Sequence, residues 1–220
     1  MSLMQLVKND TTTAPKLGEG IFLTNDVASI LRLPYSKVRH LMKNYWHGHE
    51  LGDDKNKAVN FYALIEFYTF FKLRELGVAA SEIKKAHSIL AKDLGTKYPF
   101  ASSGIKTDGK KVWYETLENL IKVDGKKQFT IKEFILGFLH KIDFGKDNLA
   151  QRFYPLNNSK LVVVDPKHQF GQPTVSGRNI TTSAIRKLHD GGESIKNIAD
   201  LYDIKSSQVS DALHYYKRTA

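Results

Sequence analysis

The chain has 220 residues, with 33 Lys and Arg against 23 Asp and Glu, a net charge of +10 and a pI near 9.5. Its 41% apolar content is enough for a packed core in one large or two small domains, and the charge favours an acidic partner. The absence of cysteine excludes disulfides, thiolate metal sites, thiol-based sensing and cysteine nucleophiles, and no apolar run of about 18 residues is present to span a membrane.

Met1-Ser2-Leu3 ahead of Met4 reads as a cloning remnant, and no secretory signal is visible, so a cytoplasmic protein is expected. Residues 1–22, with Thr11-Thr12-Thr13-Ala14-Pro15 and Gly18 to Gly20, read as a loose arm or one short edge strand.

Residues 23–95 read as a winged helix-turn-helix unit. Thr24 is expected to cap a first helix that buries Val27, Ala28, Ile30 and Leu31. Leu33-Pro34 ends it, because proline disfavours helical geometry in the residue before it. Ser36 is expected to cap a second helix with Val38, Leu41 and Met42 inward and Lys37, Arg39, His40, Lys43 and Asn44 outward. No Asp or Glu lies between Asp26 and Glu50, a window that holds Arg32, Lys37, Arg39 and Lys43. An exposed helix face is ordinarily mixed in charge, so an acid-free one suits a polyanion. Ser36, Lys37, Arg39 and His40 are the candidates for base edges. Lys43 and the wing residues Lys55, Asn56 and Lys57 are the candidates for phosphates.

The wing is expected within Tyr45 to Asn60. A helix follows from Phe61 to Leu76, with Gly77 as its C-terminal cap. Another starts at Ser81, with Ile83, Ala86, Ile89, Leu90 and Leu94 inward. His47-Gly48-His49-Glu50 has metal-like residues but no remote partner to complete a tetrahedral set, so no metal site is assigned.

Residues 96–160 read as a small β-meander plus helix. Asp108-Gly109-Lys110-Lys111 recurs as Asp124-Gly125-Lys126-Lys127, and Asp-Gly is a preferred hairpin turn pair. Thr130 to Glu133 is a capping-box pattern that opens a helix through about Ile142, and residues 148–160 read as irregular.

Residues 161–220 begin with a buried strand, Leu161 to Val164, and pass two turns to a helix capped by Thr182 and ended at Gly191-Gly192. Ile195, Ile198, Ala199, Leu201, Tyr202, Ile204, Val209, Ala212, Leu213 and Tyr216 then fit a second helix-turn-helix, with Ser206 capping its last helix. Lys205, Ser206, Ser207, Gln208, Ser210 and His214 form a possible second surface for DNA or a protein partner, although Asp203 and Asp211 oppose a polyanion. The fold class expected overall is α+β, mainly α.

Val27-Ala28, Arg39, Tyr62 and Leu73-Arg74-Glu75-Leu76-Gly77 make the head resemble the DNA-binding domain of the MerR family. Asn60 stands where that family has an arginine near the end of its wing, and the family's long dimerising coiled coil and effector domain are missing. Val164-Asp165-Pro166, Phe170-Gly171-Gln172-Pro173, Gly177-Arg178-Asn179-Ile180, Gly192-Glu193-Ser194-Ile195 and Ala212-Leu213-His214-Tyr215 make the tail resemble a small bacterial domain of unknown function. That domain is typical of VapBC-like antitoxins, encoded beside a PIN-like ribonuclease toxin. With Pro99 to Ser102 between head and tail, the resemblance implies an antitoxin that binds its own operator and occludes the toxin; a homodimer is expected because half-sites on one face of DNA lie ~34 Å apart. Two alternatives stand beside it: a plain regulator or DNA-architecture factor without a toxin, and a protein-interaction adaptor. No nucleophile elbow, phosphate loop or cluster of spaced carboxylates is present, so neither an enzyme nor a cofactor is expected.

Overall fold

The computed structural model describes residues 18–44, 50–51, 57–103 and 137–217. The expected Asp-Gly turns and their flanking strands, the Thr130 capping box, Lys55, Asn56 and His47 to His49 lie outside the described residues. Among those described, the architecture is mixed and mainly helical, with small antiparallel sheets.

The head is arranged around α3 (Phe61–Glu75), whose Phe61, Leu64, Ile65, Phe67 and Leu73 are fully buried. A helix apolar on every side must be surrounded by other elements. β1 (Phe22–Leu23), α1 (Thr24–Leu31) and α2 (Tyr35–Asn44) lie on one side of it. β2 (Glu50–Leu51) and β3 (Ala58–Val59) pair antiparallel, and the sheet runs β1-β3-β2, with Phe22 and Glu50 both opposite Val59. α4 (Ala80–Leu94) and a 3-10 turn at Pro99–Ala101 close the other side. Asn60 caps α3 by accepting from Ala63 N–H at 3.0 Å, and its amide donates to Tyr98 Oη at 2.8 Å. The helix ends where Val78 N–H reaches Leu73 C=O at 3.1 Å across Gly77, at φ +86°, a conformation that glycine adopts without strain.

The packing of α3 takes a carboxyl group into the core. Glu66 is 0% exposed; its Oε1 accepts from Phe100 N–H at 2.7 Å and Ala101 N–H at 3.2 Å, and its Oε2 lies 2.8 Å from His87 Nε2. One side chain thereby joins α3, α4 and the 3-10 turn.

Residues 137–139 are helical, and β4 (Ile142–Phe144) pairs with β5 (Ala150–Phe153). The expected helix through Ile142 therefore stops early, and the stretch read as irregular contains a strand. Ile142 faces Phe153 in the ladder and is buried with it. Val164, next to β6 (Val162–Val163), exchanges backbone bonds with Phe153 at 3.0 and 2.8 Å, so the main core is continuous from Phe22 to Val164. β7 (Thr174–Val175) pairs with β6, and α5 (Thr182–Asp190), α6 (Ile195–Tyr202) and α7 (Ser206–His214) bury Ile185, Ile198, Ala199, Val209 and Ala212 in a second cluster. Where the expected arm is described it is tied to the head: Glu19 C=O accepts from Phe61 N–H at 2.8 Å, and Phe22 begins the edge strand β1. At Gly171 (φ +86°) a Cβ would stand 2.3 Å from the Phe22 ring, so only glycine lets this turn close on the head.

Burial raises the Glu66 carboxyl above the ordinary range, against the lowering effects of His87 and the two backbone donors. Replacing it with Ala strands two buried N–H groups and His87, and is expected to cost about 3 kcal/mol in denaturant unfolding. Glu66→Gln keeps an accepting oxygen and is expected to cost about 1 kcal/mol. A carboxyl whose folded pKa is raised contributes stability below its unfolded pKa, and loses it as pH climbs through the folded one. Wild type should therefore gain on Glu66→Gln as pH falls towards the ordinary carboxyl range, and a gap that shrinks as pH falls contradicts the assignment.

Candidate nucleic-acid interface

α1 ends at Arg32, which adopts a left-handed conformation (φ 55°), and Leu33 N–H returns to Ala28 C=O at 2.9 Å. Pro34 C=O then accepts from Lys37 N–H at 3.0 Å and Val38 N–H at 3.3 Å and starts α2. Val27, Ala28, Ile30, Val38, Leu41 and Met42 are buried, as their spacing predicts. The expected caps are displaced. Leu23 holds the N-cap position of α1, with its N–H donating to Asp26 Oδ2 at 2.8 Å, and Thr24 is already helical. Ser36 is the second residue of α2, not its cap.

Ser36, Lys37, Arg39, His40, Lys43 and Asn44 are all exposed. They fall into two groups. Ser36, Lys37 and His40 line a groove shared with α3 and the start of α4, whereas Arg39 and Lys43 lie outside its walls. Asn44 is folded back, with its Nδ2 3.0 Å from both His40 Nδ1 and His40 O. Lys57 is half-buried just before β3, and its carbonyl oxygen is 3.5 Å from Thr24 Oγ1.

Sequence reading does not join some of the neighbouring cations. Lys84 of α4 reaches the Asn44 carbonyl at 3.5 Å. Lys141 donates to Pro155 C=O at 3.3 Å and Asn157 Oδ1 at 2.5 Å. Burial, followed by the charges of Lys72 and Arg32, pushes its pKa down to about 8. Arg32, Lys72 and Lys141 come from three distant segments, so no local pattern announces their convergence.

The tail repeats the geometry of α1–α2 at a constant offset of 171 residues. Asp203 (φ 48°) corresponds to Arg32, and Ile204 N–H returns to Ala199 C=O at 3.0 Å. Lys205 C=O accepts from Gln208 N–H at 2.9 Å and Val209 N–H at 3.3 Å, as Pro34 does in the head. Lys205, Ser206, Ser207, Ser210 and His214 are exposed. Gln208 does not belong with them. It is half-buried, accepts from Lys205 N–H at 3.0 Å and so takes over the capping expected of Ser206. Asp211 accepts from Ser159 Oγ and is turned from the exposed face, whereas Asp203 stays in solvent. Leu201, expected inward, is 67% exposed, although its counterpart Ile30 is 3% exposed. Arg32 Nη2 lies 3.5 Å from His214 C=O and links the two units. Among the described residues no three His, Asp or Glu side chains gather to hold a metal ion, and no helix is long and apolar enough to cross a membrane.

The whole arrangement is that of a known fold. A crystal structure of Rv2018 from Mycobacterium tuberculosis superposes with a TM-score of 0.71 over 87% of this chain and 96% of that one, at 22% identity. A family model described as "Protein of unknown function (DUF433)" matches residues 162–216, the β6-to-α7 unit. Among individual proteins of the same organism, "Putative antitoxin VapB45" is 27% identical over 166 residues, 70% of this chain and 69% of that protein. The uncharacterized protein Rv2308 is 35% identical over 57 residues, 26% of this chain and 24% of its own length.

A non-glycine residue held left-handed costs about 1–2 kcal/mol. The side chain of Asp203 is fully solvated and lies 3.7 Å from Arg178 Nη2. Asp203→Gly is therefore expected to raise stability by about 0.5 kcal/mol in urea unfolding. A loss of stability would contradict the geometry assigned to this turn.

Proposed function

We propose that this protein is the DNA-binding antitoxin of a type II toxin-antitoxin operon, which represses its own promoter and neutralises a PIN-like ribonuclease toxin. The observation that carries the DNA half is α2: a helix whose Ser36, Lys37, Arg39, His40 and Lys43 are exposed, in a stretch without a carboxylate from residue 27 to 49. The toxin half is supported by similarity to a protein named as an antitoxin over 70% of the chain.

In this reading α2 enters the major groove. Arg and Lys side chains there form paired hydrogen bonds to guanine or neutralise phosphates. The hairpin β2–β3, with Lys55, Asn56 and Lys57, approaches the flanking backbone as a wing, in a MerR-like head. Two chains act together, because half-sites on one face of DNA lie ~34 Å apart and one small head does not span them. A metal-dependent ribonuclease has a carboxylate-rich active site, and a chain of net charge +10 is suited to cover it.

DNase footprinting on the chain's own promoter tests the first half: protection is expected, and none at any salt contradicts it. Lys37→Ala with Arg39→Ala should weaken binding, and flatten the slope of log affinity against log salt by about two units if both touch phosphates. Unchanged affinity for the promoter removes α2 from the interface. Co-expression with the adjacent open reading frame tests the second half. The two products should co-purify, and separate elution contradicts the toxin partner.

A further inference from the structure

A cavity of about 610 Å³ opens between α2, α3 and the first turn of α4. This volume falls within the range of small-molecule sites. Its floor is apolar, made by Leu33, Leu41, Phe70 and Phe71. Leu41 and Phe70 are buried, whereas Leu33 and Phe71 are half-buried. Its rim is cationic: Lys37 and His40 from α2 face Arg74 from α3. Arg74 Nη1 donates to Val78 C=O at 2.6 Å, which fixes the guanidinium at the mouth through one of its five N–H groups. His40 Nδ1 lies 3.0 Å from the Asn44 amide nitrogen, which holds the ring against α2. Glu75 is the acid in the wall, and its Oε2 is held 2.6 Å from Lys72 Nζ.

A phosphate alone would use the rim and leave the floor uncovered; a neutral hydrocarbon would do the reverse. We propose that this cavity is a ligand site for a flat aromatic carboxylate or sulfonate. The ring lies on Phe70 and Phe71, and the acid group meets Lys37, His40 and Arg74. Ser36, Lys37 and His40 belong both to this wall and to the exposed face of α2. The occupant therefore competes with DNA, a consequence that rests on the DNA-binding reading above. Such a ligand would make release of the promoter responsive to a metabolite as well as to the partner protein.

The test uses the full chain without DNA and 2-naphthoate as the probe, titrated by calorimetry. Saturable one-to-one binding is expected, with 2-naphthalenemethanol, the uncharged analogue, at least tenfold weaker. Ala80→Phe fills the mouth of the cavity and should abolish binding. Arg74→Gln should weaken it about tenfold, and decides the matter if Ala80→Phe does not fold. Non-saturable uptake, equal affinity for the alcohol, or unchanged binding in the folded variants overturns the site. Adding promoter duplex should release the naphthoate; simultaneous binding of both overturns the competition. A chain that takes naphthoate but no DNA leaves the site standing and removes the DNA-binding reading instead.

Discussion

A carboxyl group with no access to water ties the head of this protein together. Glu66 accepts from two backbone N–H groups of the turn that follows α4 and meets His87 of α4 itself. Two consequences follow from this one residue. The Pro99–Ala101 turn is fixed against α3 by two bonds from its own backbone N–H groups to the buried carboxyl. The chain leaving that turn is also given a set direction, so that Ser102 bridges Leu149 and the β4–β5 pair packs on Tyr68 through Phe153. With α3 enclosed in this way, α2 lies at the surface, anchored by Val38, Leu41 and Met42 and presenting its polar side to solvent.

The two helix–turn–helix units share their backbone bonds but not their surroundings. In the head, the α1 face at Asp26, Ser29 and Ile30 borders Tyr215 and Tyr216 of the tail, and Ile30 is covered. In the tail the corresponding face, with Asp200 and Leu201, is open. The outer faces differ as well. α2 carries Lys37, Arg39 and Lys43, whereas α7 offers mainly serines with His214. This contrast in charge is why the head, and not the tail, carries the DNA-binding reading.

Much of the architecture was legible in the order of apolar residues. The periodicity of Val27, Ala28 and Ile30, the break at Leu33-Pro34 and the run from Phe61 to Leu73 match the helices found. Helix starts were less legible, for one physical reason. Thr24, Ser81 and Ser206 look like caps, yet each lies inside its helix. In each case the side chain three residues after the true N-cap accepts from that residue's own N–H: Asp26 for Leu23, Glu82 for Ala79 and Gln208 for Lys205. With the acceptor supplied from within the helix, the cap position needs no oxygen of its own. Thr182 is displaced differently, because Thr181 beside it caps α5 by accepting from Ala184 N–H. Ile89 and Leu201 satisfy an inward pattern but are 37% and 67% exposed, and periodicity alone does not reveal whether a partner element exists. The groove beside α2 was illegible for the opposite reason: Lys37, His40 and Arg74 meet only through the packing of α2 on α3.

The measurement that bears most directly on this account is hydrogen–deuterium exchange of the chain with and without a duplex carrying its own promoter. If α2 is the reading helix, amides within Tyr35–Asn44 and the adjacent β2–β3 pair should slow on DNA addition, while those of α6 change least. Protection confined to α6 and α7, with Tyr35–Asn44 exchanging at the same rate in both states, would contradict it.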